Sequence, residues 1–172
     1  MGVSIVASGS IILILLISIG FGLLYANVNA ASGNEAAYKI SRLIDEYRIE
    51  TLVKIMNVTF NSLQQVNVTI KNVGNTKIWK YQFCDVVVTY TANVSNSLIK
   101  LTTRLTYSQS GGLGTWYVWK IINDYVDPGI LNPNESMIIT LTLPYPSVRG
   151  TVLVIVFSTD NGVWDSYGVI VP

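Results

Sequence analysis

Histidine is absent from the 172-residue sequence, and cysteine occurs only once, as Cys84. The chain therefore lacks the side chain that most often serves as general base, metal ligand and pH switch near neutrality. A single cysteine forms no intramolecular disulfide, and without histidine to activate it Cys84 is predicted to fill a core or a sheet edge rather than to act as a nucleophile. Zinc has no suitable ligand set. We therefore predict no catalytic residues, no metal site, no cofactor and a protein that is not an enzyme; a pair of acids of the glycosidase type is the catalytic alternative that the sequence alone leaves open.

Charged residues are also scarce, at 12% of the chain, with 11 Lys and Arg against 10 Asp and Glu. The basic residues form no stripe of the kind that binds phosphate backbones, so nucleic acid is not expected as a partner. Asp124 and Asp127 are the closest acidic pair in a predicted loop, but their spacing is not that of a calcium-binding loop. The low number of carboxylates also predicts that the folded fraction changes little between neutral pH and about pH 3.

The start of the chain carries a long apolar run. Residues 1–34 contain no charged side chain, and Ile11 to Leu24 is apolar apart from Ser18 and two glycines. Extended at both ends, the run exceeds the roughly 20 residues that cross a bilayer as a helix. No Lys or Arg precedes it, which favours a retained anchor over a cleaved signal peptide, whereas Val28-Asn29-Ala30 has the pattern of a cleavage site. The membrane-facing residues are predicted to be Ile11, Leu13, Leu15, Leu16, Ile19, Phe21 and Leu24.

Four N-x-Ser/Thr sequons follow the apolar run, at Asn57, Asn67, Asn93 and Asn134. Sequons are acceptors for N-glycosylation on exported domains, so they favour a domain that lies outside the cell. Such triplets also arise by chance in a chain rich in Asn, Ser and Thr. Glycosylation of these four residues is therefore an open expectation.

Residues 35–47 place apolar side chains at helical spacing, namely Ala36, Ile40, Leu43, Ile44 and Tyr47. A short amphipathic helix that packs on its own domain or continues the membrane helix is favoured over a self-associating stalk, because about two heptads are too few for a coiled coil. The predicted organisation is a membrane helix and linker (1–34), a helical stalk (35–47) and a β domain (48–172).

The β domain shows period-two alternation and turn residues at short intervals. Val66, Val68 and Ile70 are predicted to face a core, and Asn161-Gly162 predicts a hairpin with a type I′ turn. About eight strands in about 120 residues is the spacing of an antiparallel β-sandwich. We therefore expect an all-β domain with two packed sheets.

One predicted strand, residues 115–122, is rich in aromatic side chains. Alternation would place Trp116 and Val118 on one face, and Tyr117, Trp119 and Ile121 on the other. Two interpretations follow. Either both faces are covered, or Tyr117 and Trp119 form a partner surface of the kind enriched in Tyr and Trp.

Three short motifs carry a family resemblance: Val66 to Ile78, with Asn72-x-Gly74-Asn75-Thr76 inside it, then Leu131 to Glu135, and Ser158 to Val163. With the opening Met1-Gly2-Val3-Ser4, the chain resembles accessory proteins F and G of the archaeal flagellum, or archaellum. The start is more similar to F than to G. The resemblance extends over nearly the whole sequence.

This resemblance implies a single membrane helix and an immunoglobulin-like sandwich outside the cytoplasmic membrane, beneath the S-layer. There the protein would act as a stator, as a homodimer, by binding S-layer protein and other archaellum motor or filament proteins. Archaellins carry a basic leader that is absent here, which favours the stator over a pilin-like or archaellin-like filament subunit. A third alternative is a secreted carbohydrate-binding domain, which would expose Trp116 or Trp119 on a concave face.

Overall fold

The computed structural model describes residues 2–95 and 97–172, without the side chains of 2–8, 31–34 and 36. The chain divides into two compact units, Met1–Asp45 and Glu46–Pro172. The second is called the β unit below.

The helix α1 covers Gly2–Glu50, so the predicted linker and stalk both lie within it. The first proline of the chain is Pro128, and no proline therefore interrupts the helical hydrogen bonds. Within α1 the 22 residues Gly9–Ala30 have a mean hydropathy of 2.4 and are long and apolar enough to cross a membrane. The seven predicted membrane-facing side chains are all exposed, as are Ile40, Leu43 and Ile44 of the stalk. Ala36 lies outside the described side chains.

Eight strands form the β unit, which confirms the predicted β-sandwich. One sheet has the order β1-β2-β6-β5 and the other β4-β3-β7-β8, and all pairs within each sheet are antiparallel. The end of β4 joins the first sheet through two parallel pairs, Thr106 with Thr115 and Tyr107 with Trp116. The strand bounds are β1 Val53–Phe60, β2 Gln65–Asn72, β3 Asp85–Val94, β4 Ser97–Tyr107, β5 Thr115–Ile122, β6 Ser136–Thr142, β7 Val152–Ser158 and β8 Trp164–Ile170.

The core lies between the two sheets and follows the alternation of the sequence. Val66, Val68 and Ile70 are fully buried on β2, as predicted. Burial also alternates along β3, where every second residue from Val86 to Ala92 faces the core. The valine-rich β3 is central in its sheet, between β4 and β7.

The hairpin between β7 and β8 is present, but the predicted type I′ turn is wrong. Such a turn needs positive φ at both central residues, whereas Gly162 has φ 81 and Asn161 is not among the residues with positive φ. The Asn161 side chain donates hydrogen bonds to the Thr51 hydroxyl at 2.7 Å and to the Tyr47 carbonyl, near the end of α1, at 3.5 Å.

The first and last strands of the sheet β1-β2-β6-β5 each contain a β-bulge, and β5 meets β4 only at its first two residues. In β1 the register shifts between Ile55 and Asn57, which leaves Met56 as the extra residue. In β5 it shifts between Val118 and Lys120, which leaves Trp119 as the extra residue. A bulge changes which face the following side chains occupy.

Candidate interaction surfaces

Trp116 is a core residue, not a surface one. Its exposed fraction is 0%, and its ring meets Tyr107 at a centroid distance of 4.9 Å and Phe157 at 6.1 Å, both edge to face. The indole Nε1 has no hydrogen-bond partner among the described residues. Of Trp116 and Trp119, the two tryptophans predicted for a carbohydrate-binding face, only Trp119 is therefore at the surface.

The bulge at Trp119 alters the outer face of β5. Trp119 and the next residue, Lys120, are both exposed, and Ile121 returns to pack against the core. The predicted placement of Ile121 beside Tyr117 and Trp119 is therefore wrong, because the extra residue shifts the alternation.

The predicted partner residues Tyr117 and Trp119 differ in accessibility. Trp119 is 55% exposed, and the Lys120 Nζ lies 4.7 Å from the centroid of its ring. Tyr117 is half-buried, and its ring lies under the turn at Gly111, where an added Cβ would come within 3.4 Å. Of Tyr117 and Trp119, only Trp119 has a largely exposed ring, and its use by a partner stays a prediction.

The four sequon asparagines have different surroundings. The Asn67 side chain, on the outer face of the first sheet, is hydrogen-bonded at both ends of its amide. Its Oδ1 accepts a hydrogen bond from the Thr140 hydroxyl at 2.9 Å, and its Nδ2 donates one to the Asn61 Oδ1 at 3.3 Å. Asn57, Asn93 and Asn134 are exposed. Glycosylation at any of these residues stays a prediction.

Asp124 and Asp127, the predicted acidic pair, have different partners. The Asp124 Oδ2 accepts the Gly129 N–H at 2.8 Å, whereas the Asp127 Oδ2 pairs with the Lys77 Nζ at 2.6 Å. Among the described residues no three His, Cys, Asp or Glu side chains gather as metal ligands. Each acid thus has a local structural partner.

Cys84 is buried in the core cluster, as predicted for a core filler. Desolvation raises the pKa of its thiol to about 12, and the negative charge of Asp160 adds to the effect. The Sγ donates a weak hydrogen bond to the Lys80 carbonyl at 3.7 Å. A buried thiol with a raised pKa carries little thiolate and is a poor nucleophile.

The end of α1 is held by a set of residues that we call the helix clamp: Thr51, Asn72, Gly74, Asn75, Thr76 and Asn161. The last carbonyls of a helix have no partner within the helix and need outside donors. The Thr51 hydroxyl donates to the Tyr47 carbonyl at 2.7 Å, and the Asn75 N–H donates to the Glu50 carbonyl at 2.8 Å. Because its proton is used, the Thr51 hydroxyl accepts from Thr76 at 2.6 Å and from the Asn161 amide at 2.7 Å.

Within the clamp, Asn72 and Gly74 shape the turn that reaches the helix. The buried Asn72 side chain donates to the Thr76 carbonyl at 2.7 Å and accepts the Gly74 N–H at 3.1 Å. A Cβ on Gly74 would lie 2.4 Å from both the Glu50 carbonyl oxygen and the Leu52 nitrogen. The motif Asn72-x-Gly74-Asn75-Thr76 therefore joins the last turn of α1 to the sandwich.

At the opposite end of the β unit lies a groove of about 210 Å3, lined by Phe60, Asn61, Ser62, Leu63, Arg149 and Pro172. Arg149 is exposed and makes no hydrogen bond or ion pair with the described residues. The sequence showed Arg149 only as a lone cation in a loop, and nothing in its neighbours along the chain indicated a groove.

The model of one protein family, described as conserved flagellar protein F, immunoglobulin-like domain, matches residues 49–166. Residues 49–166 comprise most of the β unit. No curated protein sequence matches the chain.

Three solved structures share the fold. The archaellum periplasmic stator protein FlaG from Sulfolobus acidocaldarius is 23% identical with a TM-score of 0.53, and the alignment covers 69% of this chain and 99% of that one. A chain in the complex of FlaF and FlaG from the same organism is 22% identical with a TM-score of 0.52, covering 68% and 87%.

The archaeal flagellum of Methanospirillum hungatei strain JF1 contains a chain that is 14% identical, with a TM-score of 0.58 and coverage of 95% of this chain and 92% of that one. That alignment extends over α1 as well as the β unit. At these identities the three likenesses describe the fold, and the family follows from the match over more than half of the sequence. The chain belongs to the conserved flagellar protein F family and carries its immunoglobulin-like domain.

Proposed function

We propose that this protein is a non-catalytic stator of the archaellum, anchored in the cytoplasmic membrane by α1 and bound to S-layer protein outside the cell. The observation that carries the proposal is the family match over residues 49–166, directly after a helix with a membrane-length apolar segment at Gly9–Ala30. A rotating filament needs a fixed counterpart, and two attachments, one in the membrane and one in the surface lattice, would supply it.

The helix clamp supports a mechanical role. Load carried by the end of α1 reaches the sandwich through hydrogen bonds from the turn after β2 and from the turn between β7 and β8. These contacts connect residues as far apart in sequence as Thr51 and Asn161. Force on the helix end is therefore shared between both sheets rather than borne by β1 alone.

We further propose a single membrane crossing with the β unit outside. The exposed sequons Asn57, Asn93 and Asn134 agree with an exported domain. Intact right-side-out cells should therefore lose the β unit to added protease, whereas a cytoplasmic control protein stays intact. Protection of the β unit until the cells are lysed would contradict this topology.

The test of the stator function uses full-length protein in detergent micelles and S-layer protein isolated from the same source. Saturable binding on an S-layer-coated sensor is expected, with a detergent-solubilised membrane protein of unrelated fold as the control. A strain that lacks the gene should keep its filaments and lose swimming, and the full-length gene should restore it. Absence of binding together with normal swimming would refute the proposal.

The homodimer is likewise a proposal. Sedimentation of the full-length protein in micelles of known mass should give twice the chain mass of 18.9 kDa after subtraction of bound detergent. A protein mass of one chain at micromolar concentration would contradict the homodimer.

A filament subunit is the second candidate, and one observation favours it: the flagellar filament chain aligns with 95% of this chain, including α1. Removal of detergent would then produce ordered filaments built on the apolar helix, visible by electron microscopy. The stator proposal expects irregular aggregates or micelles instead.

A further inference from the structure

The carboxylates of the β unit are concentrated at one end. Of the ten Asp and Glu residues, Glu35 and Asp45 belong to the N-terminal unit and the other eight to the β unit. All eight lie at or near the end of the sandwich that holds the helix clamp: Glu46, Glu50, Asp85, Asp124, Asp127, Glu135, Asp160 and Asp165.

Hydrogen bonds and strand directions establish this placement. Asp85 begins β3, Asp165 is the second residue of β8, and its carboxylate accepts the Ile55 N–H near the start of β1 at 2.7 Å. Asp160 lies in the turn that carries Asn161. The three ion pairs of the described residues are also at this end, namely Lys77 with Asp127, Lys80 with Asp160 and Arg104 with Asp85.

The far end of the sandwich is formed by the loop after β1, the loop after β6 and the hairpin between β3 and β4. Backbone bonds tie these segments together: the Ser147 N–H donates to the Leu63 carbonyl at 2.8 Å, and the Asn93 N–H donates to the Pro146 carbonyl at 3.0 Å. No Asp or Glu occurs in residues 51–84 or 86–123, nor in 136–159. The far end therefore has no carboxylate side chain.

Two cations lie in this acid-free region. Arg149 lines the groove of about 210 Å3. Lys100 lies opposite Thr91 on the neighbouring strand, and the Thr91 carbonyl accepts the N–H of Val148, the residue before Arg149. Among the described residues neither cation has a hydrogen bond or an ion pair, in contrast to Lys77, Lys80 and Arg104.

The size and lining of the groove indicate what fits. Its volume is below the roughly 300–1,000 Å3 of small-molecule and cofactor sites, so it suits one or two side chains of a protein partner. Phe60 and Leu63 supply apolar walls, Asn61 and Ser62 supply polar groups, and Arg149 supplies a guanidinium that binds carboxylates in a two-pronged geometry. None of the lining side chains is an Asp or a Glu, so a cationic side chain would find no acidic side chain in the groove.

We infer that the far end of the sandwich, centred on the groove at Arg149, is the surface that docks a partner protein through an acidic segment. The inference rests on the proposed function, because it assigns the surface and the chemistry by which the stator would hold its partner. It also places partner binding away from Trp119, at the end of the β unit opposite the helix clamp.

The test compares three charge variants of the full-length protein in detergent. Arg149→Glu reverses the charge in the groove, Arg149→Lys keeps it, and Lys54→Glu makes the same reversal on the exposed face of β1. Arg149 and Lys54 are both exposed, so the thermal unfolding of all three variants should match that of the wild type. Two probes are immobilised in turn at low salt: isolated S-layer protein and a hexaglutamate peptide, with hexalysine as the peptide control.

We expect Arg149→Glu to weaken binding to the S-layer protein and to hexaglutamate by roughly tenfold or more, and added salt to weaken the wild-type interaction. Lys54→Glu and Arg149→Lys should bind within about threefold of the wild type. Equal binding of the S-layer protein by Arg149→Glu and Lys54→Glu would overturn the docking surface while the stator function stands.

The remaining outcomes separate the two proposals. If the wild type binds hexaglutamate through Arg149 but does not bind S-layer protein, the acidic-segment surface holds and the proposed function fails. If the wild type binds neither probe, both proposals are overturned.

Discussion

Replacing Gly74 with alanine should weaken the attachment of α1 to the sandwich. The new Cβ would lie 2.4 Å from two backbone atoms, the Glu50 oxygen and the Leu52 nitrogen. Because backbone atoms cannot rotate away as side-chain atoms can, the turn at residues 72–76 must move off the helix end. This movement would stretch the three bonds that the Val73, Gly74 and Asn75 amides donate to the Leu52 and Glu50 carbonyls, now 2.8 to 3.0 Å long.

The expected loss of unfolding free energy follows from these contacts. Overpacking in a tightly filled place costs about 1–3 kcal/mol, and each weakened hydrogen bond contributes about 1 kcal/mol. Since relaxation relieves part of the overlap, we expect a total of about 3–4 kcal/mol for Gly74→Ala. Gly168→Ala is the matched control, because Gly168 lies in β8 without positive φ and with no atom within 4 Å of its added Cβ.

Urea unfolding of the full-length protein in a mild detergent, followed by tryptophan fluorescence, measures the unfolding free energies of Gly74→Ala and Gly168→Ala. Trp116 is buried between Tyr107 and Phe157, so its emission should shift when the core opens. Gly168→Ala should stay within about 0.5 kcal/mol of the wild type. If Gly74→Ala were equally harmless, the close approach at Gly74 would not hold the helix end, and the reasoning about the helix clamp would be refuted.

Four further predictions concern other parts of the β unit. Burial raises the pKa of the Cys84 thiol from 9.0 to about 12, so the neutral thiol stabilises the folded chain fully below pH 9. Above that pH the unfolded chain ionises first, and the free energy of unfolding should be about 1.5 kcal/mol lower at pH 10. Urea titrations at pH 8 and pH 10 should show a smaller loss of unfolding free energy for Cys84→Ser than for the wild type. Trp116→Ala should cost about 3–5 kcal/mol and Trp119→Ala less than about 1 kcal/mol; urea unfolding followed by circular dichroism measures both, and equal costs would contradict the assignment of Trp116 to the core and Trp119 to the surface. Asp165→Ala should cost about 1–3 kcal/mol by leaving the Ile55 N–H without its acceptor, whereas Asp165→Asn keeps an oxygen there and should lose less than half as much. Circular dichroism should show little change in the folded fraction from neutral pH to about pH 3, and a cooperative acid transition in that range would contradict the expectation drawn from the low carboxylate content.

The alternation of apolar residues predicted much of the fold, because burial and strand geometry share the same period. Val66, Val68 and Ile70 lie in the core for this reason. The phase of β5 was mispredicted after Val118, since a bulge inserts one residue without a distinctive sequence pattern. The helix α1 continues to Glu50, past the predicted start of the β domain at residue 48.

The candidate sites were less predictable, since they depend on residues far apart in sequence. Asn161 predicted a turn from its sequence context. Its hydrogen bond to Thr51, however, joins residues 110 positions apart and is visible only in the folded structure. Arg149 carried no local signal at all. The segregation of carboxylates from Arg149 and Lys100 becomes visible only when the direction of every strand is known.

The two bulges affect how the protein behaves at high concentration. An edge strand with regular unpaired amides and carbonyls is a template for another strand, and stacked edges lead to fibrils. In the sheet β1-β2-β6-β5 both edges are irregular, at Met56 and at Trp119, and a lysine flanks each bulge within two residues. The two bulges therefore interrupt the regular template that β1 and β5 would offer to another chain, which disfavours amyloid-like stacking on this sheet at high concentration.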